Sequence, residues 1–307
     1  MNSQPHFDIT LYAPSGRLWE PQALMRAEAF LRQAGHRVRV DAGVGVEQSF
    51  QRFAGDDETR LAAVRRVLHD APTGIALAVR GGYGWTRLLD RLDYAALSRD
   101  KKLWLGHSDF TAFQLAALAK AQRITFAGPM ACYDFGAEEV SSFTVNHCFD
   151  LLAANRYTIP FVLSGEQLLN GGWSGTLWGG NLTMITHLIG TPWFPNVDNG
   201  ILFLEDVNEE PYRIERMLYQ LHYSGVLAHQ NVVLLGHFTE SKTSEQITGY
   251  TLDTAIEHIQ HISGVPFFRG LPFGHVRDKV TLPVGAPCSL TMTDRGTAWL
   301  TCRDYLP

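Results

Sequence analysis

"LWLGHSDFTAFQLAALA", residues 103–119, carries an apolar run into a helix-like run through one tight turn. Leu103–Leu105 stops at Gly106, His107, Ser108 and Asp109 follow, and an Ala- and Leu-rich stretch begins at once. A short run that is apolar throughout reads as a strand covered on both faces, as in parallel sheets. A strand feeding a helix so directly is half of a βαβ unit.

The alternation continues on both sides of this stretch. "FDITLYAPSG" (7–16), "HRVRVDAGV" (36–44), "GIALAVRGGYG" (74–84) and "RITFAGP" (123–129) read as strands. Between them "EPQALMRAEAFLRQAG" (20–35) has Pro21 near a helix start and Gly35 as a stop. "DDETRLAAVRRVLHDAP" (56–72) opens with acids suited to a helix N-terminus, and "EEVSSFTVNHCFDLLAAN" (138–155) closes this half as a helix. The texture changes in "IPFVLSGEQLLNGGWSGTLWGGN" (159–181), where six glycines and no helical period mark a boundary. Beyond it come a helix from Asn181 to Ile189, a strand "GILFLED" (200–206) and a helix "PYRIERMLYQLHYSG" (211–225). A strand "NVVLLGHF" (231–238), a helix around 253–262 and the segment "VPFFRGLPFGH" (265–275) follow. Two closing strands, 288–293 and 297–303, are joined by the turn residues Asp294, Arg295 and Gly296. The expectation is an α/β protein: a Rossmann-like parallel-sheet domain over 1–160, a crossover over 161–178, and a smaller C-terminal α/β domain over 179–307.

With 307 residues, of which 45% are apolar, the chain has material for two domains or one large core. A net charge of −5 gives no electrostatic reason to expect nucleic acid. The four cysteines, Cys132, Cys148, Cys288 and Cys302, form no C-x-x-C pair and read as reduced, packed thiols. The opening residues lack a basic start followed by an apolar run, and no uninterrupted apolar stretch reaches about 18 residues. A cytoplasmic protein without membrane association is expected.

Four places carry residue types suited to chemistry. Ser108 and Asp109 are good helix caps. A serine on a strand-to-helix turn is also a nucleophile elbow, although Gly106-His107-Ser108-Asp109-Phe110 lacks the second glycine of G-x-S-x-G. The pair Gly81-Gly82 follows an apolar strand and fits neither a dinucleotide fingerprint nor a P-loop, leaving a tight turn or an oxyanion-side loop. Glu205 follows directly on apolar strand and needs a partner or a crevice. His275 sits at a strand-to-loop break, where an imidazole can be aimed. Ser108, His275 and Glu205 supply nucleophile, base and orienting acid, with no spacing that demonstrates a triad. Glu209, Glu210 and Pro211 read as a helix start.

Taken together, "LAVRGGYG" (77–84), "GHSDFTA" (106–112), "GTLWGGNLTMITHLIGTPW" (175–193), "GILFLEDVNEEPYRIERML" (200–218) and "GLPFGHVRDKVTLPVGA" (270–286) resemble the LD-carboxypeptidase family of serine peptidases. The resemblance runs from about residue 9 to the C-terminus and favours the murein-peptide branch over the microcin-immunity branch. It implies a class I amidotransferase-like N-terminal domain bearing the nucleophile and a C-terminal domain bearing Glu and His. It implies a Ser108-Glu205-His275 triad, an oxyanion hole from the backbone N–H groups of Gly82 and Asp109, and no metal or other cofactor. The implied reaction removes terminal D-alanine from murein tetrapeptides in peptidoglycan recycling, by a homodimer. A hydrolase of acyl- or peptidyl-adenylate amides and a non-catalytic murein-peptide binding protein are the alternatives. Substrate-contact candidates are Arg80, Asn181 and Arg213, each with a plainer reading as surface charge, helix cap or helix-face ion pair.

Overall fold

In the computed structural model, residues 5–45, 47, 49–163, 171–241, 249–293 and 296–307 are described. The strands are β1 (Asp8–Tyr12), β2 (Arg37–Val40), β3 (Ile75–Ala78), β4 (Leu103–Gly106), β5 (Thr125–Ala127), β6 (Arg156–Val162), β7 (Gly171–Asn181), β8 (Gly200–Val207), β9 (Gln230–Thr239), β10 (Phe267–Arg269), β11 (Leu282–Val284), β12 (Ala286–Met292) and β13 (Thr297–Arg303). The helices are α1 (Pro21–Gln33), α2 (Asp57–Asp70), α3 (Tyr94–Leu97), α4 (Phe110–Ala121), α5 (Ser142–Ala153), α6 (Leu182–Leu188), α7 (Pro211–Tyr223) and α8 (Leu252–Ser263).

They build two sheets of an α/β fold. The first has the order β11-β5-β4-β3-β1-β2, parallel except for β11 against β5. Its inner strands β3, β4 and β5 are buried at every position, as runs without polar alternation require. The second has the order β10-β9-β8-β7-β12-β13-β6. It is parallel from β10 to β7 and antiparallel from β7 to β6. Helix α4 packs on β5 of the first sheet and on α6 and β7 of the second. Nine of its 12 residues are buried, which explains a sequence that is apolar around the whole helix rather than along one stripe.

Three segments differ from expectation. Residues 156–160, assigned to the first domain, and 161–162, assigned to the crossover, form β6 at the edge of the second sheet. Residues 171–178, assigned to the crossover, belong to β7, the central strand of that sheet. Its glycines reflect close packing: a Cβ on Gly179 would lie 1.9 Å from the Phe203 carbonyl oxygen on β8. Residues 282–284, assigned to the C-terminal domain, form β11 on the edge of the first sheet. The part of the chain expected to be smaller therefore carries most of a seven-stranded sheet. Residues 164–170 of the expected crossover, and Asp294 and Arg295 of the expected turn, lie outside the described residues. Among the described residues, no helix is long and apolar enough to cross a membrane.

Candidate active site

The turn between β4 and α4 holds Ser108 at φ 62°, in the left-handed region that non-glycine residues seldom occupy. Such a backbone costs on the order of 1–3 kcal/mol and persists only where its surroundings impose it. Here the constraint is visible on the β3 side. A Cβ on Gly81 would stand 2.9 Å from Ser108 Cβ and 3.3 Å from its Oγ, so only glycine lets the two loops approach. Ser108 is not a helix cap. Asp109 occupies the cap position of α4, and its side chain makes no capping bond either. Instead Asp109 Oδ2 accepts a hydrogen bond from Trp85 N at 3.0 Å and another from Ser15 Oγ, anchoring the glycine loop from below. Gly16 N donates to Gly81 O at 3.0 Å. The fully buried Arg60 donates to the carbonyls of Pro14 (2.9 Å) and Gly84 (2.8 Å). The N–H groups of Gly82 and Asp109 donate to no described residue.

At the carboxyl end of β8 the Glu205 carboxylate is wholly buried. Its Oε2 lies 2.8 Å from His275 Nδ1, and its Oε1 accepts from Asn181 Nδ2 at 3.2 Å. His107 approaches from β4, with Nε2 3.7 Å from Glu205 Oε2 and its ring 4.4 Å from the His275 ring. Burial pushes the Glu205 carboxyl up, but the His107 and His275 imidazoles outweigh it and hold the group well below the usual carboxylate range. Asp206, next along the strand, is pushed up to about 6 by burial and by the Glu205 charge. The Glu205 contact occupies Nδ1 of His275 and leaves Nε2 as the ring nitrogen open to a second partner. Ser108 Oγ makes no hydrogen bond with a described residue. Catalytic contacts of this kind often tighten only when substrate is bound.

The loop carrying His275 is fixed at several points. His237 N donates to Phe273 O at 2.8 Å. Ser141 Oγ donates to Asp278 Oδ1 at 2.6 Å, Thr144 Oγ1 to Arg277 O at 2.8 Å, and Lys279 N to Thr144 Oγ1 at 2.9 Å. Lys279 Nζ, with no exposed side-chain surface, meets Asp134 Oδ1 at 2.6 Å. Thus β11 and α5 hold the loop at the first sheet while Phe273 holds it at the second.

These features sit within two matches to known proteins. Residues 9–128 match the LD-carboxypeptidase N-terminal domain and residues 174–290 the LD-carboxypeptidase C-terminal domain. The chain belongs to the LD-carboxypeptidase family. The muramoyltetrapeptide carboxypeptidase of Oxalobacter formigenes superposes with a TM-score of 0.90 at 40% identity, over 98% of this chain and all of that one. A probable murein peptide carboxypeptidase of Bacillus subtilis is 29% identical over 277 residues, covering 90% of this chain and 86% of its own. The wild-type microcin C7 self immunity protein shares the fold at 21% identity, with a TM-score of 0.86 over 100% of this chain and 98% of its own.

Against this LD-carboxypeptidase frame the expected substrate contacts separate. Asn181 is almost fully buried and engaged within the protein: Nδ2 reaches Glu205 and Asp206, and Oδ1 accepts from Met184 N at the start of α6. It caps α6 and supports Glu205. Arg213 lies on the exposed side of α7 beside Tyr212 and Glu209. Arg80 is half-buried beside the glycine loop, donates to Arg17 O at 2.8 Å, and has no carboxylate partner among the described residues. His107, Arg60 and the Lys279–Asp134 pair were not singled out by sequence. Only His107 carried a local signal, its place directly before Ser108. Among the described residues His107, Glu205 and His275 also have the spacing of a metal-binding group, their ligand atoms lying within 4.8 Å of one another. The 2.8 Å separation of Glu205 Oε2 and His275 Nδ1 is a hydrogen-bond distance.

Proposed function

We propose that this protein is a serine LD-carboxypeptidase that removes the terminal D-alanine from murein tetrapeptides, cleaving after an L-configured centre of the third residue. The observation that carries the reading is the strained Ser108 turn beside two unengaged backbone N–H groups and a buried Glu205–His275 pair. In this reaction Ser108 Oγ attacks the scissile carbonyl as His275 Nε2 takes its proton. Glu205 fixes the imidazole tautomer through Nδ1 and stabilises the imidazolium. The Gly82 and Asp109 N–H groups receive the oxyanion, each donor being worth about 3–4 kcal/mol in comparable sites. His275 hands its proton to the amine of D-alanine, which leaves. Water then attacks the acyl-enzyme by the same base and frees the tripeptide.

A carboxypeptidase also has to hold a free carboxylate, and Arg80 is suited to that task. Burial disfavours its charge and the neighbouring Arg52 and Arg17 cations add to the effect, so an anion docking there relieves both. We read the first sheet as class I amidotransferase-like and as the source of the nucleophile, with the second supplying acid and base. We place the enzyme in the cytoplasm, acting as a homodimer in peptidoglycan recycling. The shared fold of the microcin C7 self immunity protein supports a second reading, hydrolysis of acyl-sulfamoyl or peptidyl adenylate amides. Mass spectrometry of purified protein given both substrate types separates them. Release of D-alanine from the tetrapeptide, with the nucleotide conjugate intact, is expected; preference for the conjugate overturns the murein reading. Binding of tetrapeptide without turnover would point to a sensor instead.

A further inference from the structure

The proposed triad leaves one buried titratable group unused. His107 is 2% exposed, and neither ring nitrogen has a hydrogen-bond partner among the described residues. An unpartnered polar side chain in a core costs stability unless something compensates. This one is aimed at the catalytic pair. Nε2 stands 3.7 Å from the same Glu205 oxygen that binds His275, and the ring centroid lies 4.4 Å from that of His275 and 5.3 Å from that of Phe273. His107 is also the residue before Ser108, so its ring joins the strained turn to the acid–base pair from the other sheet.

We propose that His107 is a positioning residue, a neutral imidazole whose Nε2–H faces Glu205, restrains the carboxylate and His275 ring together, and tempers the pull of the carboxylate on the catalytic base. The inference rests on the serine-hydrolase reading above and deepens it. The groups facing His107 are Glu205 from β8 and His275 and Lys279 from the loop before β11. Burial lowers the His107 pKa, Glu205 opposes that, and His275 and Lys279 reinforce it. A neutral ring serves the mechanism. A cation at this place would oppose formation of the His275 imidazolium, whereas a neutral ring with its N–H dipole 3.7 Å from Glu205 adds no charge there.

The test compares His107→Phe, which keeps a planar ring and removes the donor, with His107→Gln, which keeps an N–H. Two rates are followed against pH: kcat/KM on the tetrapeptide, and labelling of Ser108 by a fluorophosphonate, which needs the nucleophile and base but no murein substrate. Without the donor the Glu205 charge acts more fully on the base, which then retains its proton to higher pH. For His107→Phe the acid limb of both profiles moves up by about half a pH unit, and kcat drops about tenfold with little change in KM. His107→Gln restores the position of the limb. An unmoved limb in folded His107→Phe overturns the proposal, as does an equal loss of rate in both variants with neither limb displaced. Should neither variant fold, 15N-histidine NMR of the native chain decides. A neutral His107 protonated on Nε2 near neutral pH supports the role, and a protonated or Nδ1–H ring contradicts it. Failure of the native protein to be labelled at Ser108 would strike the serine-hydrolase reading itself, while labelling without tetrapeptide cleavage would strike only its substrate.

Discussion

Replacing Lys279 with Met removes a fully buried cation, and the loss should reach the chemistry. The Lys279 side chain is fully buried and its partner Asp134 is 4% exposed, so the variant leaves a carboxylate without its counter-charge in the core. Breaking a buried pair from one side costs about 3–5 kcal/mol. For a 307-residue chain unfolding as a unit, about 2.1 cal/mol/K of entropy per residue converts this to a fall in Tm of about 5–8 °C. The pair also ties the His275 loop to the segment before α5, alongside the Thr144 and Ser141 contacts. Misplacing a catalytic group by about 1 Å costs up to about 100-fold in rate. Lys279→Met is therefore expected to lower kcat by about 10- to 100-fold with a smaller change in KM. Lys279→Met/Asp134→Asn should recover much of the lost Tm, because no unpaired charge remains. Differential scanning calorimetry and steady-state kinetics read both effects. A Lys279→Met protein with native Tm and kcat refutes the reasoning, and so does a double variant no more stable than the single one.

Glu205→Gln replaces the acceptor for His275 Nδ1–H with a group that can present a donor, and kcat is expected to fall about 10⁴-fold with tetrapeptide binding retained, as measured by single-turnover kinetics and calorimetry. Gly81→Ala drives a methyl group into Ser108, displacing the elbow or the glycine loop. Fluorophosphonate labelling and kcat should drop by about 100- to 1000-fold, the loss typical of a spoiled oxyanion site. Asp206→Asn changes how stability depends on pH. A carboxyl raised to about 6 when folded keeps a proton that the unfolded chain releases near pH 4, so native stability falls as pH rises between those values. The asparagine variant lacks that slope, and denaturant melts should show it gaining on the native protein by about 2–3 kcal/mol from pH 4 to pH 7. A constant difference across that range would contradict the assignment.

Strands β1 to β5 and β8 to β9 were legible because their apolar runs and turn residues have a strand's length and period. Strand β7 was not. Its Gly-Gly-Trp-Ser-Gly pattern is dominated by glycine, which is depleted in strands, and it is a strand because β8 and β12 pair with it on both sides. Strand β11 is three residues, Leu-Pro-Val, whose extended form follows from pairing with β5, a contact between distant parts of the chain. In the proposed site, Ser108 and Glu205 could be picked out because they stand at the ends of apolar strands and His275 because it sits at a loop break, and the family resemblance joined them. The supports were hidden. Asp109 reads as a helix cap, but its carboxylate turns back to Ser15 and Trp85. Arg60 sits in a helix full of arginines, and nothing local distinguishes it from Arg65 or Arg66. Asn181 could be read as a cap and is one, while its hold on Glu205 depends on β7 lying beside β8.

The most direct test is the release of D-alanine from L-Ala-γ-D-Glu-meso-diaminopimelate-D-Ala, followed by mass spectrometry with native protein and Ser108→Ala in parallel. The native enzyme should yield tripeptide and free D-alanine, and the alanine variant should bind the peptide and leave it intact. Equal turnover by the two proteins would exclude Ser108 as the nucleophile.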